Sequence, residues 1–173
     1  MNPVRKLQAY GIAIALAIFA ADQWVKSYVT KSLGIDRIGE SMELISIFNF
    51  TFTKNYGVSL GMFEATSPEM RWALVGVTAL IALVVFIWML REKAFGDIFG
   101  LSLILGGALG NIVDRYTLGY VVDYADLHFG SFRPFLIFNV ADAAITIGVV
   151  IILARSFFVR DKDDTNSKET APA

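Results

Sequence analysis

The chain has 173 residues, no cysteine and a single histidine, His128. The first absence excludes disulfides, thiol nucleophiles, thiolate metal sites and lipid attachment through cysteine. The second leaves little room for a multi-histidine metal centre or a histidine relay. Charge is scarce as well. Fifteen Lys and Arg against sixteen Asp and Glu give a net charge of −1, so there is no basic footprint for nucleic acid. The length suits one domain and not two large ones.

What is present is apolar, and it comes in blocks. Hydrophobic residues make up 55% of the chain and charged ones 18%, with a mean hydropathy of +0.58. Residues 72–90 carry no charge over a length that suffices to cross ~30 Å of hydrocarbon, so the composition reads as an integral, all-α membrane protein. Four spans are expected, at about 7–29, 69–90, 97–116 and 136–158. A region with sheet character lies between the first two, at 30–67. Residues 1–160 are expected to form one domain and 161–173 a charged, disordered tail. The opening imitates a secretory signal peptide, with Arg5 and Lys6 before an apolar run containing Ala15, Leu16 and Ala17. The apolar character continues past that point, and Asp22 and Lys26 follow at i, i+4, where they can pair. The segment is read as a retained first span.

From Thr30 onward Gly34, Gly39 and scattered charges break the helix. Phe48, Phe50 and Phe52 then alternate with Asn49, Thr51 and Thr53, the period of a half-buried strand. Lys54, Asn55, Tyr56 and Gly57 read as a turn, and Val58, Leu60 and Met62 alternate again. The pattern fits a small sheet at the membrane surface with one apolar face open to lipid; a packed strand pair with no ligand fits it equally. Ser67, Pro68 and Glu69 make a helix start. Gly96 and Asp97 read as a stop followed by a new N-cap. Gly119 ends the third span, and 120–133 is expected to be a connection carrying Asp123, Asp126 and His128.

Four spans put both termini on one side. Arg5, Lys6, Arg91, Lys93, Arg155, Arg160 and Lys162 crowd short flanks there, which favours cytoplasmic termini. Asp22, Asn111, Asp114, Arg115, Asn139 and Asp142 all fall at the opposite boundary, with Asn55 and Asp123 in connections on that side. A carboxylate at the centre of a span costs about 2.5–3.5 kcal/mol on insertion scales, less toward the interface, so such a gathering reads as a site. Asp123 and Asp142 can face each other across the mouth of the bundle and share one proton, as aspartic peptidases do. On pattern alone a proton or ion pathway, a structural polar network and a metal site on Asp123, Asp126 and His128 stay open. A serine triad through His128 lacks its nucleophile elbow.

Several blocks in order resemble the lipoprotein signal peptidases, the signal peptidase II family, over nearly all of the chain up to Phe158. They are Asp22-Gln23 with Lys26, Asn55-x-Gly57, the run from Gly106 to Arg115 (GGALGNIVDR), the run from Gly119 to Tyr124 (GYVVDY) and the run from Phe138 to Gly148 (FNVADAAITIG). The resemblance implies a four-span membrane peptidase of the bacterial inner membrane with a periplasmic sheet, or cradle, and a short extramembrane helix. Its activity would be aspartic endopeptidase cleavage of diacylglyceryl-modified prolipoproteins just before the lipidated cysteine. By motif, Asp123 and Asp142 would be catalytic. Asn55, Gly57, Asn111, Arg115 and Asn139 would hold substrate or the dyad, and Asp22, Lys26 and Asp114 would support them. No metal or other cofactor is implied. The expected partners are the lipidated precursors, membrane phospholipid and globomycin-type inhibitors, with the chain a monomer. A proton-coupled small transporter or channel subunit is the alternative. Leu60 stands where the family pattern leads one to expect phenylalanine. Asp126 and His128 are read as surface loop residues.

Overall fold

The computed structural model describes residues 3–57 and 67–158. Four helices, α1 (Pro3–Ser27), α2 (Pro68–Arg91), α3 (Phe95–Thr117) and α4 (Val140–Phe158), are each long and apolar enough to cross a membrane. Strands β1 (Ser41–Ile45), β2 (Phe48–Asn55) and β3 (Val121–Leu127) form an antiparallel sheet in the order β1-β2-β3. The four spans therefore stand where the apolar blocks place them, within a few residues.

The helix boundaries have local causes. Ser67 Oγ accepts the N–H of Met70 at 3.3 Å, and Pro68 occupies the first turn, where its missing N–H costs nothing. α1 does not stop at Thr30. It continues through a π-helical turn, Tyr28–Ser32, in which Thr30 Oγ1 donates to Lys26 O at 2.8 Å. The chain leaves the helix by Gly34, at φ 72°, a conformation that favours glycine. α3 begins at Phe95 with Ala94 as its cap, so Asp97 is not the N-cap its sequence context suggests; it lies in the first turn and pairs with Arg155. α4 starts at Val140, four residues later than expected.

α3 is the central helix: twelve of its residues are buried, against three or four in each of the other three. Its small residues allow this. A side chain at Gly106 would run into the backbone of Ala15 in α1, and one at Gly107 into the carbonyl of Ala141 in α4. Gly100 and Gly148 likewise bring α3 and α4 backbone to backbone. Ala15, Met89, Ile98 and Leu101 fill the core among α1, α2 and α3.

The sheet departs most from expectation. The 120–133 connection contains β3, which is buried along almost its whole length. A strand covered on both faces has no alternation to betray it. Lys54 and Asn55 are not in a turn but end β2, opposite Val122 and Val121. The phenylalanine face of β2 is not open to lipid: Phe52 is buried with Val29, Ile35, Val122 and Tyr124, and Phe48 and Phe50 pack against them. Among the described residues no free-standing extramembrane helix occurs. The alternation at Val58, Leu60 and Met62 and the 161–173 tail lie outside the described residues.

Candidate active site

The C-terminal ends of α1 and α3, the N-terminal end of α4 and strands β2 and β3 meet at one end of the helix cluster. The entry into α4 is the pivot. Asn139 Oδ1 accepts the N–H of Asp142 at 2.9 Å, and Asp142 Oδ2 accepts the N–H of Asn139 at 3.3 Å. This is a reciprocal cap over three residues, and it satisfies two N–H groups that a helix start would leave unpaired. It also fixes which way the Asn139 amide points. Its Nδ2 must face away from the helix, and there it donates to Asp123 Oδ1 at 2.6 Å, Val122 O at 3.2 Å and Asn111 Oδ1 at 3.3 Å.

Two further asparagines complete the arrangement. Asn55 Oδ1 accepts the N–H of Gly57 at 3.1 Å, which leaves Nδ2 to donate to Asp123 Oδ2 at 3.1 Å. Asn111 Nδ2 donates to Asp142 Oδ1 at 2.9 Å. Every carboxylate oxygen of Asp123 and Asp142 thus receives a hydrogen bond, and Asn139 reaches both residues. Asp123 is 2% exposed, whereas Asp142 is half-buried. Burial, and then the negative charge of Asp142, push the Asp123 carboxyl up to about 7, against the opposing pull of Asn55, Asn139 and Lys26.

Behind the pair sits a charged group that is almost fully buried. Lys26 Nζ lies 2.7 Å from Asp22 Oδ2 and 2.8 Å from Asp114 Oδ2, and it donates to Asn111 Oδ1 at 3.2 Å. Gln23 Nε2 bridges the same two carboxylates, at 2.9 Å to Asp114 Oδ1 and 3.2 Å to Asp22 Oδ2. Asp22 Oδ1 accepts the N–H of Ala141 at 3.0 Å, and Asp114 Oδ2 that of Val122 at 3.1 Å. Arg115 Nη2 donates to Gly57 O at 2.7 Å, while its Nε is buried and has no hydrogen-bond partner among the described residues.

All ten expected site residues, Asp22, Lys26, Asn55, Gly57, Asn111, Asp114, Arg115, Asp123, Asn139 and Asp142, fall within this one network. Asp126 does not join it, and it is not a surface loop residue. It lies in β3, 2% exposed, where Arg133 Nε and Nη2 donate to its two oxygens at 2.9 and 3.3 Å and Thr51 Oγ1 adds a bond at 3.2 Å. Arg133 holds its carboxyl below the usual range. Three residues along a strand from Asp123, it points to the other face. Among the described residues no three His, Asp or Glu side chains are placed to hold a metal ion.

Two side chains that touch this network escape a reading of spans and spacing. Gln23 stands next to Asp22 as one more polar residue in an apolar helix, and beyond its place in the Asp22-Gln23 block nothing in the sequence gives it a role. Arg71 gives no signal: its Nε donates to Arg115 O at 2.8 Å and its Nη2 to Tyr116 O at 2.6 Å, satisfying carbonyls at the end of α3.

Comparison with known proteins agrees in sequence and in fold. The family model for signal peptidase (SPase) II matches residues 14–158. A lipoprotein signal peptidase of Sphingopyxis alaskensis is 52% identical over 153 residues, 88% of each chain. One from Rhizorhabdus wittichii is 46% identical over 151 residues, 87% of each chain. A solved structure described as a bacterial membrane enzyme superposes with a TM-score of 0.76 at 27% identity, covering 95% of this chain and 94% of that one.

Proposed function

This chain belongs to the signal peptidase II family, and from that premise we propose that it cleaves lipoprotein signal peptides as a membrane-embedded aspartic endopeptidase. Membership makes it a membrane peptidase acting on lipoproteins. The finer reading is that Asp123 and Asp142 activate water between them and cut just before a diacylglyceryl-modified cysteine. The observation that carries it is the bridge through Asn139, which donates to Asp123 Oδ1 by its side chain and to Asp142 Oδ2 by its backbone.

The chemistry follows from the unequal environments of the two acids. Asp123, buried and with its carboxyl raised to about 7, keeps the shared proton and donates a hydrogen bond to the scissile carbonyl. Asp142, half-buried, takes a proton from the attacking water as the new C–O bond forms. That proton then passes to the leaving amide nitrogen as the C–N bond breaks. No covalent intermediate and no cofactor enter. Arg115 supplies the donor for the substrate backbone, because its buried Nε has no partner among the described residues and a buried guanidinium N–H left unpaired is costly.

In this reading residues 1–160 act as one peptidase unit, monomeric in the bacterial inner membrane, with cytoplasmic termini and the site at the outer-leaflet boundary. A substrate anchored by its own diacylglyceryl group, among phospholipids, would meet the site at that depth, and globomycin-type inhibitors would compete for it. The test is to incubate purified protein with a diacylglyceryl-modified precursor beside its unlipidated twin. Cleavage of the first alone, exposing the lipidated cysteine and unaffected by EDTA, is the expected result. Equal cleavage of both, or of neither, would defeat the reading.

A further inference from the structure

Two backbone hydrogen bonds at the site share a pattern that pairing of helices and strands does not require. Asp22 Oδ1 accepts the N–H of Ala141, the residue immediately before Asp142. Asp114 Oδ2 accepts the N–H of Val122, the residue immediately before Asp123. Ala141 lies in the first turn of α4, where a backbone N–H has no partner within the helix. Val122 lies near the start of β3. In each case a carboxylate from a neighbouring helix grips the chain one residue ahead of an aspartate of the dyad.

The two carboxylates are joined by one ammonium. Lys26 Nζ sits 2.7 Å from Asp22 Oδ2 and 2.8 Å from Asp114 Oδ2, and its third contact is Asn111 Oδ1 at 3.2 Å. Lysine has three donors, and here they meet three acceptors. The third contact has a directional consequence. With its oxygen claimed by Lys26 and by Asn139 Nδ2, the Asn111 amide can offer Asp142 only its nitrogen. Turned over, the amide would set an oxygen against a carboxylate. Gly110 keeps the space clear, since a side chain there would strike the Asp22 carboxylate.

We propose that Lys26 is the positioning residue of the dyad. Through Asp22 and Asp114 it sets the backbone ahead of each aspartate, and through Asn111 it sets the amide that donates to Asp142. The inference rests on the peptidase reading above, and it adds to that reading the reason the two acids hold their relative places. It also ties their protonation to Lys26. Among the described residues the charged and titratable groups around the dyad are Asp22 and Lys26 from α1, Asp114 and Arg115 from α3 and Tyr124 from β3. Of these Lys26 is a cation that draws the Asp123 carboxyl downward, against its burial.

The test measures kcat and KM against pH for the full chain in lipid nanodiscs, with a diacylglyceryl-modified precursor and rates normalised to folded protein. The variants are Lys26→Met and the double variant Lys26→Met/Asp114→Asn. The double variant matters because Asp22, Lys26 and Asp114 sum to −1 when all are ionised, and Asp22 alone after both substitutions is also −1. It holds the net charge behind the dyad at the wild-type value, and so separates lost positioning from lost charge balance. Both variants are expected to lose at least about tenfold in kcat with KM changed by less than about threefold. The alkaline limb of Lys26→Met should move upward in pH, since the cation that draws the Asp123 carboxyl down is gone, and the double variant, its net charge restored, should move less. Wild-type kcat in the double variant would overturn the proposal in favour of charge balance. A change in KM alone would assign Lys26 to substrate binding, and failure of both variants to fold would make its role one of folding; either result also overturns it. Asp123→Asn is run alongside: near-wild-type cleavage there would defeat the peptidase reading instead.

Discussion

α3 and α4 touch through polar groups at both of their ends, and the two ends are built on different plans. At one end Arg155 grips Asp97 in a two-pronged pair, at 2.9 and 3.2 Å, with the two side chains 29% and 25% exposed. Charge meets charge, solvent screens both, and the side chain lies over Gly96. At the other end the same helices contribute Asn111, Asp114, Arg115 and Asp142, and α1, β2 and β3 send Asp22, Lys26, Asn55 and Asp123 to join them. Donors from three elements (β2, α3 and the α4 entry) converge on two acids, and a guanidinium nitrogen is left without a partner among the described residues. Polar residues in an apolar bundle are thus not in themselves a site. The distinguishing mark is the convergence of several donors on two acids.

Substitutions at the two ends should separate them. In the proposed mechanism Asp123→Asn and Asp142→Asn remove the proton traffic, and each should lower cleavage of a lipidated precursor by about a thousandfold. Near-wild-type rates in either would erase the contrast. Asn139→Ala takes away the α4 cap and the bridge together. It should cost about 1–3 kcal/mol in detergent unfolding and about a hundredfold in rate. A loss of stability alone would make it only a cap. Gly107→Ala forces a methyl against the Ala141 carbonyl, ahead of Asp142, and should cost about 1–3 kcal/mol. Its rate should fall more than that of the counterpart Gly76→Ala, which has nothing within 4 Å and should stay within about 0.5 kcal/mol. Asp97→Asn should do least to function: less than about 1 kcal/mol in stability and an unchanged rate. A marked fall in rate would show that the Asp97–Arg155 end is functional too.

The four spans were legible because lipid-crossing helices advertise themselves as uncharged runs. The gathering of polar residues at one end of the bundle was legible because a carboxylate inside such a run needs a reason. The sheet was harder to read. β3 carries Asp123, yet Val121, Val122, Tyr124 and Ala125 are all buried, so no alternating pattern sets it apart from a buried connection. β1 is short and largely exposed and leaves almost no hydropathic trace. Asp126 looked like a loop acid because its partners, Arg133 and Thr51, lie far apart in sequence. Asn139 and Asp142 carry a double meaning: three residues is the spacing of a helix cap, and the cap is also what aims the Asn139 amide at Asp123. Spacing marks that place in the chain, but only the packed structure supplies the direction of the amide.

Asp123 also gives stability a pH slope. Its carboxyl is raised in the folded protein, so the folded state keeps a proton that the unfolded chain releases. That contribution is full below the ordinary carboxyl range and is lost as pH rises from there toward about 7. The sharing of the proton is tested most directly by following the Asp123 carboxyl itself, by isotope-edited infrared spectroscopy in nanodiscs across pH 3–9. The account predicts protonation persisting to about 7, and a lower midpoint in Asp142→Asn, where the neighbouring negative charge is gone. A carboxyl that ionises near its ordinary value, indifferent to Asp142, would contradict the shared proton on which the proposed mechanism stands.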